Sequence, residues 1–551
     1  MRIPRPTIPW TRAAALAAAG TLTVGALAAC DAGSGTSASS DGSATAAEIS
    51  ATDNSGRSAQ DVLADNLSSD ETAALADQTW DTADETAVPL DGDTVTLTEP
   101  GTYRISGTLD DGQIVVDSPD DGVVRLVLDG ADVTSSTGAA IDVQDADQVS
   151  VVLADGSKNS LEDAATYADT TSDDAANAAL YSTADLAISG TGSLDVVGNS
   201  NDGITSKDGL VIADGDITVD AADDAVRGKD YLVVSGGTLD ATAGGDSGDA
   251  LKSDNDSDDG AGYVAITGGD VTASASSQGV KAFSDVAITG GTLTVTDSSE
   301  GIEAATIAQS GGDVDVTASD DGLNATVDEP EDDTATDDAT ADQSTDQGDT
   351  DQQGTGDQPQ SDMPQPPADG EMPQGGAGGP MDQVEDGASI TITDGTLHVD
   401  AEGDGLDSNG VTVISGGDVV VEGPTNGGNG ALDSAGGSTI SGGTVLAVGS
   451  SGMAEAFDED STQGWVALTA DAALQAGTEV AVVDADGAQV ATITLSKTAQ
   501  SVVYSGPEIT DGATSTLTAD GEKVGTATAG EAPAGGMGGG PGGGGRPDAA
   551  S

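Results

Sequence analysis

Residues 214–241 read DGDITVDAADDAVRGKDYLVVSGGTLDA and contain one full turn of a repeat. A glycine turn (DGD) leads into an alternating segment whose Ile217 and Val219 point to one side. A corner (DDAV) follows, then a second apolar run (YLVV) and the next glycine turn (SGGT). The same turn, (S/T/D)-G-(G)-(D/T) followed by an aliphatic residue, recurs at Ile217, Leu239, Val271, Leu293, Val314, Leu397, Val419 and Val445, at intervals of 22, 32, 22, 21, 83, 22 and 26 residues. A period near 22 that absorbs extra residues in single bursts marks a stacked solenoid whose insertions leave as loops. A second aliphatic series precedes the turn at Ile212, Val234, Ile266, Ile288, Ile392, Ile414 and Ile440, with Gln309 breaking it and making that coil irregular or shifted by one. A third marks the corner at Ile204, Val226, Leu251, Val280, Ile302, Leu323 and Leu406. Three short strands and three bends per 22 residues, with no helical stretch long enough for a crossover, predict an all-β fold. We expect a right-handed parallel β-helix with β-rich N- and C-terminal caps.

The composition agrees. The 551 residues include 97 acidic and 15 basic ones, a net charge of -82, and only 2% aromatics. A narrow solenoid interior is filled by stacked Val, Ile, Leu and Ala and needs few large side chains. Such a charge excludes nucleic acid as a natural partner and keeps a protein dispersed.

Residues 1–30 read as a lipoprotein signal peptide. Arg2, Arg5 and Arg12 form a basic n-region, an Ala/Leu/Val stretch follows, and Leu27-Ala28-Ala29-Cys30 matches the bacterial lipoprotein cleavage box. Lipidation at Cys30, the sole cysteine, would anchor the chain to the extracytoplasmic face of the cell membrane with no disulfide. Residues 31–57 are a Ser/Thr/Ala/Gly-rich flexible tether, and 58–183 a β-rich N-terminal cap with the first coils, whose strand spacing is closer to sandwich or capping patterns than to the 22-residue register. Residues 184–464 are the β-helix, interrupted at 328–387 by an acidic insertion too poor in aliphatics to order itself. Longer strands at 465–529, with an Asp-Gly turn, predict a β-rich C-terminal cap, and 530–551 is a Gly-rich tail.

Catalytic parts are scarce. The single histidine, His398, falls at an outward strand position and reads as a solvated residue, so Ser-His-Asp and Cys-His chemistry and histidine-based zinc sites lack their components. No P-loop is present, nor a dinucleotide fingerprint in a βαβ context.

Superposing the coils on the corner aliphatic aligns two polar ladders. Two positions before it stand Asp202, Asp224, Asp249, Gln278, Glu300, Asp321 and Asp404; one position after it stand Thr205, Arg227, Lys252, Lys281, Glu303, Asn324, Asp407 and, a coil further, Asp433. Coils stack about 4.8 Å apart, so like charges in register repel by about 0.9 kcal/mol per pair even at the dielectric of water. Calcium would offset this, because two carboxylates at that spacing can share one ion. The richest oxygen-donor stretch is Glu300, Glu303, Asp321, Asn324, Asp404 and Asp407, with Asp224 and Asp249 as further candidates; the alternative is an exposed acidic stripe with diffuse counterions. Asp254, Asp256 and Asp258 imitate the start of an EF-hand loop, but Asp259 stands where glycine belongs and Ala265 where the bidentate Glu belongs.

Lys207, Arg227, Lys229, Lys252 and Lys281 crowd within 75 residues. Either they pair with the neighbouring acids, or Arg227, Lys229, Lys252 and Lys281 hold the carboxylates of an acidic polysaccharide beside bridging calcium.

The ordered series YRISGTLDDGQIVVD, VVRLVLDGADVTSSTGAAIDV, VSVVLADGSKNSLED, NAALYSTADLAISGTGSLDV, NDGITSKDGLVI, DAVRGKDYLVVSGGTLDA, GDALKSDN, SEGIEA, DDGLNA, GDGLDSNG and GGNGALDSAGGSTISGGTVLA resembles a family of bacterial carbohydrate-binding parallel β-helix proteins, of the clostridial cellulose- and pectin-binding type with a pectate-lyase-like fold. The resemblance covers about residues 90–530 and implies a calcium-bearing β-helix that binds plant-type polysaccharides without established catalysis. Carried over by position, Glu303, Asn324, Asp404 and Asp407 would be ion ligands. The acidic, Pro/Gln-rich insertion departs from the Gly-rich one of the family. Flat neutral glucans need aromatic platforms, and the coils offer only Tyr231, Tyr263 and Phe283, so a charged or strongly hydroxylated glycan fits better. Two other functions stay open: a calcium-dependent polysaccharide lyase with Arg227, Lys252 or Lys281 as base, and a structural spacer or adhesin.

Overall fold

A computed structural model describes residues 55–64, 66, 79–92, 94–167, 175–328 and 384–532. The leader with Cys30, nearly all of the tether, all but the ends of the insertion and most of the tail lie outside the described residues.

The structure is all-β, built from parallel strands stacked coil upon coil. A typical coil contains Asp202–Ser206 at the corner, then Gly209–Ile212 and Asp216–Ala221, and each pairs in parallel with its counterpart one coil on, Val226–Gly228, Tyr231–Val234 and Thr238–Ala243. The corner strands form one 12-stranded sheet. Its register runs Ile204, Val226, Leu251, Val280, Ile302, Leu323, Leu406 and Leu432, the corner series expected from the repeat extended by one coil. These residues and the two other aliphatic series are buried in one continuous core that runs the length of the stack.

Two packing rules produce the motifs. In the turn, Gly215, Gly237, Gly269 and Gly291 all have positive φ, and a Cβ on Gly237 would lie 2.6 Å from the carbonyl oxygen of Gly215 one coil below. At the corner, a Cβ on Gly203, Gly279, Gly301, Gly322 or Gly405 would strike Val219, Val295, Val316, Val399 or Val421 at 2.2–2.5 Å. Where the register substitutes Ala241, Ala273 or Ala447 for that valine, the corner residue is Ala225, Ala250 or Ala431. Volume is thus conserved layer by layer: glycine against valine, alanine against alanine.

Gln309 keeps its place in the register between Ile288 and Ile392, and the pairing with the next coil shifts directly after it. Its buried amide donates to the carbonyl oxygens of Thr396 (2.9 Å) and Gly311 (3.3 Å), which satisfies a polar group at an aliphatic position.

The stack begins earlier than the 22-residue period shows. Glu85–Leu90 pairs in parallel with Gly101–Leu109, that strand with Val123–Thr134, and the last with Gln148–Leu153 and Lys158–Glu162, which pass the register to Leu186–Gly190 and Ser193–Gly198. The residues expected to follow a sandwich or capping pattern are therefore coils. Their period is hidden because Gly101–Leu109 and Val123–Thr134 each run on past the position where later coils break for the glycine turn, with only a register shift between Ile105 and Gly107. Pro89, in the first of these strands, lacks a ladder donor and so helps guard the open edge.

The short helix Ala59–Leu63, capped by the Ser58 side chain on Asp61 N, does not cover that edge. It lies on the flank of the stack, with Ala59 and Val62 packed on Ala287 and Ala308. Gly56 N donates to Thr391 Oγ1 (3.1 Å), Ser310 Oγ to Gln60 Oε1 (2.7 Å) and Asn66 Nδ2 to Asp285 Oδ2 (2.9 Å).

At the other end pairing turns antiparallel: Thr444–Gly449 and Trp465–Leu474 both pair with Ala499–Ser505. A separate four-stranded antiparallel sheet (Glu479–Val483, Gln489–Thr494, Thr514–Ala519, Glu522–Thr528) completes a second apolar core. Asp486 and Gly487, the latter at positive φ, lie in the turn between Glu479–Val483 and Gln489–Thr494.

Candidate metal centre on the corner ladder

Both polar ladders follow from the corner register. Thr205, Arg227, Lys252, Lys281, Glu303, Asn324, Asp407 and Asp433 form one row across the 12-stranded sheet, each paired with its neighbours on the coils before and after. The acids two positions before the aliphatic have a common structural duty. Asp224 Oδ1 accepts from Asp249 N (2.9 Å), Asp249 Oδ1 from Gln278 N (3.0 Å), Asp321 Oδ1 from Asp404 N (2.6 Å) and Asp404 Oδ1 from Gly430 N. One oxygen staples each coil to the next, and the other faces the second row.

What that second oxygen meets divides the ladder into two halves. In the basic half, Lys252 Nζ lies 3.1 Å from Asp224 Oδ2 and 3.0 Å from Asp249 Oδ2, with the two acids only 6% and 3% exposed. Arg227 pairs with Asp254 (2.6 Å), and Lys281 with Glu303 (3.0 Å) and Asp328 (3.8 Å). Three of the four expected glycan-holding cations are thus engaged with the protein's own carboxylates. Lys229 lies past the strand Val226–Gly228, half-buried, and makes no ion pair among the described residues.

In the acidic half no ammonium replaces Lys252. Asp321, Asp404 and Asp407 each direct a carboxylate oxygen to within 4.8 Å of the others, and all three are half-buried. Neither Asp321 nor Asp404 has a basic partner among the described residues. Burial first, and then repulsion from Asp320 and Asp433, push Asp321 up to about 6 against the opposing bond from Asp404 N. Burial and the charges of Asp321 and Asp433 push Asp404 to about 7. These are carboxylates short of positive charge.

The remaining expected ligands fall in two places. Asn324 Nδ2 donates to Glu300 Oε2 (3.2 Å), and Glu303 accepts from Gln278 Nε2 (2.5 Å) and pairs with Lys281, so Glu300, Glu303 and Asn324 form a linked group one coil before the trio. Burial and Glu303 raise Glu300 to about 8. Asp224 and Asp249 belong to the Lys252 group, four register steps from Asp407. The EF-hand imitation is not assembled: Asp254 is taken by Arg227, and Asp258 accepts from the buried amide of Asn255 (2.9 Å). Tyr231 and Tyr263 stack with ring centroids 5.7 Å apart but are buried and offer no sugar platform.

His398 is not solvated as expected. It is half-buried, with Nδ1 3.1 Å from Asp315 Oδ1 and Nε2 3.8 Å from Glu422 Oε1. Burial would lower its pKa, but the two carboxylates outweigh it and raise it to about 9. A raised histidine contributes stability that is complete below its unfolded value near 6.5 and is lost as pH rises through 9. The stability difference between the wild type and His398→Gln should therefore shrink from pH 6.5 to 10 in urea titrations; a constant difference would contradict the ion pair.

Sequence reasoning missed two contributors. Glu422 Oε2 accepts from Ser496 N (2.8 Å) and Ser496 Oγ (2.7 Å), and Lys497 reaches Asp400 and Glu402. Their sequence separations, 74 residues for the first, carry no periodic signal.

Comparison with known proteins adds a family and a relative. A family model described as "Carbohydrate-binding domain-containing protein" matches residues 91–346. A carbohydrate-binding domain-containing protein of Acetivibrio thermocellus is 43% identical over 128 residues, which cover 23% of this chain and 45% of that protein, so the match spans about half the length of this curated relative. The solved structure titled as the polysaccharide lyase-like protein from C. thermocellum, a gadolinium derivative, shares 32% identity at a TM-score of 0.34, covering 42% of this chain and 93% of that one. Through residues 91–346 and this relative, the chain is similar to bacterial proteins described by a carbohydrate-binding domain.

Proposed function

We propose that this chain is a cell-surface lipoprotein that binds an acidic polysaccharide through calcium held by Asp321, Asp404 and Asp407, without catalysis. The observation that carries the proposal is an internal one. Asp224, Asp249 and Lys252 occupy the same three ladder positions as Asp321, Asp404 and Asp407, and the ammonium that the first set holds is replaced in the second by a third carboxylate. A cation from solution completes the second set. An all-oxygen donor set suits calcium, and because calcium takes six to eight oxygens, three carboxylates leave positions for water and for the carboxylate or hydroxyl oxygens of a glycan. Glu300, Glu303 and Asn324 extend the oxygen-rich surface by one coil. The descriptions of the matched family and of the relative support a carbohydrate ligand. The buried aromatics and the net charge of -82 favour an acidic ligand bridged by calcium over a flat neutral one.

We assign the stack to the right-handed parallel β-helix, since parallel crossovers nearly always take that hand. The anchor is Cys30. As bases for a lyase, Arg227, Lys252 and Lys281 are unsuited: although burial lowers each pKa, the paired carboxylates raise it further, above the ordinary value, and hold the group charged.

Calorimetric titration of calcium into chelator-treated protein, followed by polygalacturonate with and without calcium, tests the proposal. Calcium heat and calcium-dependent glycan binding are expected; a melting temperature indifferent to chelator and no heat would reduce the trio to a solvated acidic face. Sustained release of unsaturated products would replace binding with lyase activity, and absence of glycan binding under both conditions would leave a spacer. Detergent-phase partitioning that survives Cys30→Ser would remove the anchor.

A further inference from the structure

We infer that Lys497, a residue of the C-terminal cap, is a positioning residue for the ion site; the inference rests on the calcium reading above. Lys497 follows the cap strand Gln489–Thr494 and precedes Ala499–Ser505. Its Nζ lies 2.6 Å from Asp400 Oδ1 and 3.6 Å from Glu402 Oε1 and donates to the carbonyl oxygen of Ala401; the side chain is only 13% exposed. Three consecutive residues of one turn therefore converge on a single ammonium.

That turn delivers two of the three ligands. The strand Ser389–Ala401 ends where Lys497 grips it, and the chain passes through Glu402 and Gly403 into Asp404 and then Asp407. The turn is held from below by Glu402 N on Ala318 O (3.2 Å) and Gly403 N on Asp320 O (2.8 Å). Gly403 lies so close to the preceding coil that a Cβ there would come within 2.4 Å of Asp321 Oδ1 and 2.5 Å of Asp320 Oδ1. Moving the turn outward would carry Asp404 N away from Asp321 Oδ1, the bond that sets Asp321 against Asp404. Lys497 is the cation that holds Asp400 and Glu402 inward, and its grip is thereby passed to the spacing of the carboxylates.

The sign of the effect separates positioning from charge. An ammonium near a cation site repels the ion, so on Coulomb grounds Lys497→Gln should tighten calcium binding slightly. Positioning predicts the reverse, a loss of about tenfold, the scale on which partners behind the first ligands act. Calcium affinity is to be measured by calorimetry on the full chain for Lys497→Gln, Asp400→Asn, Lys497→Arg and Ser496→Ala. Lys497→Gln and Asp400→Asn, at the two ends of one contact, should each weaken calcium about tenfold, and Lys497→Arg should recover part of the loss. Ser496→Ala removes a hydrogen bond from the same cap loop to Glu422 without touching the turn, so it should lower the melting temperature and leave calcium affinity within about twofold. Unchanged or tighter binding in Lys497→Gln or Asp400→Asn, or an equal loss in Ser496→Ala, would overturn the inference and leave Lys497 a docking contact. Should Lys497→Gln fail to fold, Asp400→Asn decides. No calcium heat in the wild type would instead remove the site reading itself, and this inference with it.

Discussion

Lys252→Asp should destabilise the chain by about 3–5 kcal/mol in chelator, and millimolar calcium should return a large part of that loss. The cost arises because Asp224 and Asp249 are almost fully buried and both direct an oxygen at the Lys252 ammonium. Removing one partner of a buried pair leaves the other charges uncompensated, which is worse than never having had the pair. The recovery follows from register. With aspartate one position after Leu251, the set at 224, 249 and 252 would match Asp321, Asp404 and Asp407 in residue type and ladder position. At calcium about a hundredfold above the dissociation constant, binding to the folded state alone contributes about 2.7 kcal/mol. Thermal melting of wild type, Lys252→Asp and Lys252→Met with and without calcium checks this. The aspartate variant alone should show a calcium-dependent rise larger than that of the wild type; an equal rise in all three would mean that ladder position does not make an ion site.

Asp404→Asn should move calcium affinity and intrinsic stability in opposite directions. Asparagine retains the oxygen that accepts from Gly430 N, so the staple between coils is preserved while one charge is lost. Calcium affinity should fall about a hundredfold, since the charge count of the ligands sets it. In chelator the variant should be at least as stable as the wild type at pH 8, because the repulsion that Asp404 shares with Asp321 and Asp433 is relieved. Asp404 has its folded-state pKa raised to about 7, so its stability contribution is complete below the ordinary aspartate value of 3.8 and is lost as pH rises through 7. The advantage of the variant should accordingly grow between pH 5 and pH 8. A variant less stable than wild type in chelator across that range would show that the trio is held together by something other than an added ion.

Much of this was legible in the chain because each coil buries the same three aliphatic positions, and burial leaves a periodic trace. The corner series from Ile204 to Leu406 and both polar rows stand in the register the repeat predicts. The exchange of Gly–Val for Ala–Ala layers was also present, as a covariation between Gly203 and Val219, Ala225 and Ala241, or Gly405 and Val421, but it becomes visible only once these positions are known to touch. The early coils were obscured because Gly101–Leu109 and Val123–Thr134 lack the regular turn that punctuates the others. Whether a ladder acid is already neutralised was not legible either. Asp224 and Asp249 share Lys252, Arg227 reaches forward to Asp254, and Lys497 arrives from another element altogether. Periodicity places residues on a face, and pairing depends on which neighbour a side chain reaches.

The strap formed by residues 55–66 has a mechanical consequence. A pull on the chain ahead of Ser55 is transmitted first to the Gly56–Thr391 bond and the small apolar contact of Ala59 and Val62 on Ala287 and Ala308, rather than to the opening strand Glu85–Leu90. Those few contacts can peel one after another, whereas tearing out a coil would break its strand pairings to the neighbouring coil together. Under load the strap acts as a sacrificial link that lengthens the leash before any coil is disturbed.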